Sequence, residues 1–72
     1  MVQIIIKNFP LIFSEHDVKK LFEKYGSVKK IKKHKIKQKA VVTMPFLQQA
    51  QVAVRELDGK KVLGRSVEVI LV

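Results

Sequence analysis

From Lys39 to Met44 the chain reads KAVVTM, and its apolar character recurs with period two. Ala40, Val42 and Met44 then share one side of an extended segment, and Lys39, Val41 and Thr43 share the other. A strand with one buried face needs that spacing. The residues just upstream differ sharply. Val28 to Lys39 holds seven of the fifteen Lys and Arg residues. The whole stretch Val28 to Met44 therefore predicts a basic β-hairpin, in which a lysine-rich strand and a tight connection lead into a half-buried strand. Function is expected on or beside the outward face.

The segments around this hairpin follow from the same periodicities. Val2 to Lys7 is almost continuously apolar and rich in β-branched residues, which predicts a strand. Asn8-Phe9-Pro10 ends it, because proline cannot continue the ladder. Ser14 with Asp17 three residues on is a capping-box-like start, and Val18, Leu21, Phe22 and Tyr25 follow at helical spacing. Gly26 is placed as the stop, and Lys19, Lys20, Glu23 and Lys24 fall on the solvated side. Pro45 closes the hairpin's second strand and is an acceptable helix start. A second helical stripe runs through Phe46 or Leu47, Ala50, Ala53 or Val54, and Leu57. Asp58-Gly59 and Gly64 mark turns, and Val67 to Val72 closes the chain as a strand.

The order βαββαβ predicts an α+β, ferredoxin-like sandwich over residues 1–72, with two helices on one face of a four-stranded antiparallel sheet. Right-handed crossovers put the first and third strands in the centre and the others at the edges. The second sheet face has no covering element, so its composition decides the function. Phe22, Tyr25 and Phe46 are expected in or near the core, leaving Phe9 and Phe13 as the candidate exposed aromatics. His34 is expected in solvent at the hairpin tip.

Composition narrows the function classes. The 72 residues contain no cysteine, which removes disulfides and thiolate metal sites. Two histidines, His16 and His34, lack carboxylates at convincing metal-binding spacings. An apolar fraction of 47% argues against disorder, and no apolar run is long enough to span a membrane. MVQIII is too short and uncharged for a signal peptide, so a soluble chain is expected. A formal net charge of +9 favours a polyanionic partner. Edge-strand lysines also prevent sheets from aggregating, but one or two suffice for that.

Over nearly its full length the sequence resembles the RNA recognition motif (RRM) family. Ile4-Ile5-Ile6-Lys7-Asn8-Phe9 is similar to the family's first-strand hexamer, with Asn8 where the family has asparagine. Lys37 to Met44 aligns with the third-strand octamer, and Lys37, Ala40 and Val42 fit it. Tyr25-Gly26, Leu57-x-Gly59 and Gly64-Arg65 also look typical. The resemblance implies single-stranded RNA as partner, bound on the open sheet face. That family stacks bases on aromatics at the second hexamer position and at the third and fifth octamer positions. Here these are Ile5, Lys39 and Val41, and none is aromatic. Gln38 also replaces the octamer glycine, which implies a short hairpin loop of different geometry.

By alternation, Gln3, Ile5, Lys7, Lys39, Val41, Thr43, Glu68 and Ile70 share the open face. Ile31 points inward, and a bulge would decide whether Lys30 and Lys32 or Lys33 reach that face. The expected RNA-binding residues are Gln3, Ile5, Lys7, Asn8, Lys30, Lys32, Lys33, Lys35, Lys37, Lys39 and Val41, acting mostly through phosphates. The alternative is a protein partner or neighbouring domain on the aliphatic part of the sheet, or on a helix face. The RRM subtype that captures tryptophan-bearing peptides needs Arg-x-Phe after the second helix, where this chain has Arg65-Ser66-Val67. An acylphosphatase-like enzyme would need a phosphate-cradling glycine loop or an acid–base pair, and neither is present. No catalytic residue, cofactor, metal, membrane or small-molecule substrate is expected. The lysine run resembles a nuclear localisation signal, although a run held in a strand is a poor one. A nuclear location is the expectation, with a cytoplasmic one as the alternative, and RNA processing is the expected role.

Overall fold

The computed structural model of the protein describes residues 1–34 and 38–72. The expectations for Lys35 and Lys37 therefore lie outside the described residues. In chain order the elements are β1 (Val2–Lys7), α1 (Glu15–Glu23), β2 (Lys30–Lys33), β3 (Lys39–Met44), α2 (Leu47–Leu57), β4 (Lys61–Val62), β5 (Arg65–Ser66) and β6 (Glu68–Leu71). The main sheet is antiparallel throughout and ordered β2-β3-β1-β6, with the first and third strands central as the crossover rule requires.

One face of the sheet carries the core. Ile4 and Ile6 of β1, Ala40, Val42 and Met44 of β3, and Val69 of β6 are buried against Val18 and Phe22 of α1 and Ala50, Ala53 and Leu57 of α2. Burying each large aliphatic or aromatic side chain contributes roughly 1.5–3 kcal/mol, so this layer is the main stabilising term. The helices form where their caps and stripes place them. Ser14 caps α1 and exchanges hydrogen bonds with Asp17, a complete capping box. The helix ends at Glu23, before Gly26. That glycine is required instead by close approach: an added Cβ would lie 2.7 Å from the Gln49 Cβ on α2, and closer still to its carboxamide.

Three expectations need correction. Phe9 is fully buried, because Asn8 takes a left-handed backbone (φ 64°) that breaks the strand alternation and turns the next side chain inward. Phe46 is 55% exposed. It is the N-cap of α2, in extended backbone, and so stands outside the helical cycle that buries Ala50, Ala53 and Leu57; Leu47 is also exposed. The last strand starts at Glu68 rather than Val67. Before it, β4 and β5 form a separate two-stranded ribbon. Leu63 (φ 49°) and Gly64 (φ 84°) link them with the two left-handed residues of a type I′ turn. Val67 is buried, with its N–H donating to Lys60 and its carbonyl accepting from Gly59.

Candidate nucleic-acid interface

The antiparallel register sorts the outward side chains of the uncovered sheet face into three rows. At one end Lys30 pairs with Thr43 and Thr43 with Gln3, and the Val72 N–H donates to the Gln3 carbonyl at 2.9 Å. The middle row is Lys32, Val41, Ile5 and Ile70. At the other end stand Lys39, Lys7 and Glu68, and the His34 N–H donates to the Lys39 carbonyl at 2.9 Å. Opposed side chains in such rows lie close enough to act as one surface. The face thus has a polar end, an aliphatic centre and a charged end. Four lysines and one carboxylate, Glu68, belong to the rows.

This register places Gln3, Ile5, Lys7, Lys30, Lys32, Lys39 and Val41 on one face. Ile5, Lys39 and Val41 are half-buried, whereas Gln3, Lys7, Lys30 and Lys32 are exposed. It also resolves β2. No bulge intervenes, so Lys30 and Lys32 point to the open face and Lys33, opposite buried Ala40, points to the helices. There the Lys33 ammonium donates to the Phe13 carbonyl and stands 5.8 Å from the Phe9 ring centroid. The Lys33 N–H donates to Glu15 Oε2 at 3.2 Å. This lysine ties the β1–α1 loop to the edge strand.

Asn8 is also engaged within the protein. Its Nδ2 donates to the Ser66 carbonyl at 2.9 Å, and its Oδ1 accepts from Arg65 Nη2 at 2.7 Å. Gln38 completes the knot: its Oε1 accepts from the same Arg65 nitrogen at 3.3 Å, and its Nε2 donates to the Phe9 carbonyl at 3.1 Å. The Arg65 guanidinium is therefore held by neutral acceptors, and no carboxylate among the described residues pairs with it. Its full charge sits at the end of the sheet that also carries Lys7. Sequence reasoning left Arg65 out of the site, although Gly64-Arg65 was a visible signal. It also left out Lys29 and Thr43, which border Gln3 at the polar end.

The side chains brought together on this face offer charge, hydrogen bonds and apolar area. Lysines supply point charges for phosphates, Gln3 and Thr43 supply donor and acceptor groups, and the aliphatic row supplies apolar area. No helix among the described residues is long and apolar enough to cross a membrane.

Comparisons with known proteins bear on the family and the fold. A family model described as RNA recognition motif matches residues 4–68. No curated protein matches the sequence. Among solved structures, the RRM domain of Puf1 from S. pombe superposes with a TM-score of 0.94 at 29% identity, over 99% of this chain and 88% of that one. A second crystal form of the same domain gives 0.89, also at 29% identity, over 97% of this chain and 92% of that one. RNA recognition domains 1 and 2 of Sex-lethal from Drosophila melanogaster give 0.89 at 17% identity, over 97% of this chain and 48% of that one. That last likeness is one of fold alone.

Proposed function

The chain belongs to the RNA recognition motif family, a non-enzymatic RNA-binding domain, and we propose that it holds single-stranded RNA weakly, chiefly through phosphate contacts on the open sheet face. The observation that carries this reading is the middle row, where Lys32 stands beside the aliphatic Val41, Ile5 and Ile70 and no π-face is offered for stacking. Stacking on an aromatic is worth roughly 1–3 kcal/mol per base. With that contribution gone, charge supplies most of the affinity. Lys7, Lys30, Lys32 and Lys39 are assigned to phosphates, and Lys35 and Lys37 are given the same role on sequence grounds. Lys33 and Asn8 serve the fold instead, since their side chains are engaged inside the protein. Dissociation constants on the order of 10⁻⁴–10⁻⁶ M, typical of non-specific contact, are expected.

A second reading places a protein partner or neighbouring domain on the aliphatic row. It is favoured by Ile70, which is 48% exposed at the end of that row. Fluorescence anisotropy with a short labelled RNA separates the two. Replacing Lys30, Lys32 and Lys39 together by glutamate should abolish binding while circular dichroism stays unchanged. The Ile5→Ser, Val41→Ser pair should weaken it little. The reverse pattern would overturn the charge reading. If no RNA shifts any resonance in an NMR titration, the protein-partner reading replaces it.

A further inference from the structure

We propose that the polar end of the open face, Gln3 with Thr43 and Lys30, is a pocket for a single nucleobase, one row away from the positions at which the family stacks bases. This inference rests on the RNA-binding reading and specifies where on the face a base is held. In the middle row Val41, Ile5 and Ile70 offer no group that can hydrogen-bond a base edge, and the Lys32 ammonium donates only. In the row of Lys39, Lys7 and Glu68 every group is charged. Only the Gln3 row carries neutral groups that both donate and accept. A carboxamide presents an acceptor beside a donor, the pattern that a base edge presents in return. The Thr43 hydroxyl adds a second donor and acceptor. No hydrogen bond among the described residues engages either side chain.

The surface is also concave at this end. A cleft of about 400 Å³ is lined by Met1, Gln3, Lys29, Lys30, Thr43 and Val72. A second, of about 230 Å³, shares Gln3, Lys30 and Thr43 and adds Lys32 and Val41. The larger one falls near the lower end of the ~300–1,000 Å³ range of small-molecule sites, which is room enough for a nucleobase. Its lining supplies the remaining requirements. Met1, Val72 and Val41 give apolar walls for the base faces, and the exposed Lys29, Lys30 and Lys32 stand around the rim where the flanking phosphates would pass. No Asp or Glu side chain is among the residues that line either cleft, whereas three lysines are. Charge complementarity thus selects a nucleic-acid strand as occupant, and the amide and hydroxyl select its base.

The test compares a short single-stranded oligoribonucleotide with an abasic ribose-phosphate chain of the same length, on the intact protein. The Gln3 side-chain amide resonances should shift with the base-bearing strand only, while the backbone amides of Lys29, Lys30 and Lys32 shift with both. The Gln3→Ala, Thr43→Val double variant should lose roughly 3- to 10-fold affinity for the RNA, the loss expected for one or two hydrogen bonds, and none for the abasic chain. An unchanged thermal midpoint would show that the loss is not unfolding. Equal Gln3 shifts with both chains, or RNA-dependent shifts confined to the Ile5 and Ile70 methyls, would overturn the pocket and leave the charge reading standing. If neither chain binds, the pocket and the charge reading fall together.

Discussion

At Ser14 two short-range hydrogen bonds decide where a helix starts. The Ser14 N–H donates to Asp17 Oδ2 at 2.9 Å, and the Ser14 hydroxyl accepts the Asp17 N–H at 3.4 Å. Ser14→Ala removes the hydroxyl cap and should destabilise the protein by about 0.5–2 kcal/mol, read as a lower urea midpoint. The same contacts hold the Asp17 carboxyl below its ordinary value of 3.8, first through the backbone N–H of Ser14 and then through its side chain. A lowered folded-state value means that this contribution is complete above the ordinary value and is lost as the pH falls through the lowered one. Stability should therefore drop in acid below about pH 4. In Asp17→Asn that part of the pH dependence should be absent, and an unaltered acid limb in the variant would refute the assignment. Gly26 makes a comparable local demand. Gly26→Ala forces Gln49 away from the Ser27 N–H, which its Oε1 accepts at 3.0 Å, and a lower thermal midpoint is expected.

Within β2, neighbouring lysines do opposite work. Lys30 and Lys32 stand on the open face, while Lys33 reaches under the β1–α1 loop to the Phe13 carbonyl and the Phe9 ring. Lys33→Ala should lower the thermal midpoint and leave RNA affinity nearly unchanged, whereas Lys32→Ala should do the reverse. Equal RNA losses from the two would show that the face assignment does not control binding. The same strand is a sheet edge, and its outward Lys33 N–H is taken by Glu15. At the opposite edge, Asp58 Oδ1 accepts the Val69 N–H at 3.0 Å. Glu15 of α1 and Asp58, the C-cap of α2, thus each supply a carboxylate that occupies an edge donor, which blunts strand addition from another chain.

For the molecule as a whole, a formal net charge of +9 on 72 residues sets the long-range field. If about three to five phosphates are neutralised, the logarithm of the binding constant should fall with the logarithm of salt concentration at a slope of roughly −2 to −3.5 for a single strand. Anisotropy titrations across a salt series measure this directly. A slope near zero would mean that apolar or hydrogen-bonded contact dominates, and the phosphate assignment would then be wrong. Among the described residues both helices lie on one face of the sheet, so the fold separates the core from the face proposed for such a ligand.

What the sequence determined by itself was everything with a local period. The inward set Ala40, Val42 and Met44, the Val18 and Phe22 stripe and the Ser14 cap are all encoded within a turn or a strand's length, where chain geometry alone dictates which side chains share a face. The open-face set around Ile5, Val41 and Ile70 was legible for the same reason. Tertiary structure decided the features whose partners lie far along the chain. Asn8 holds Arg65 57 residues away, and that contact accompanies the left-handed turn that buries Phe9. Lys33 faces inward because β2 pairs with β3 without a bulge, and an edge strand's own residues do not specify that register. The cleft at Gln3 arises where β1, β2 and β3 meet the chain beyond β6, a juxtaposition that no sequence window contains. Periodicity is a property of neighbours, whereas a pocket forms only when distant segments pack.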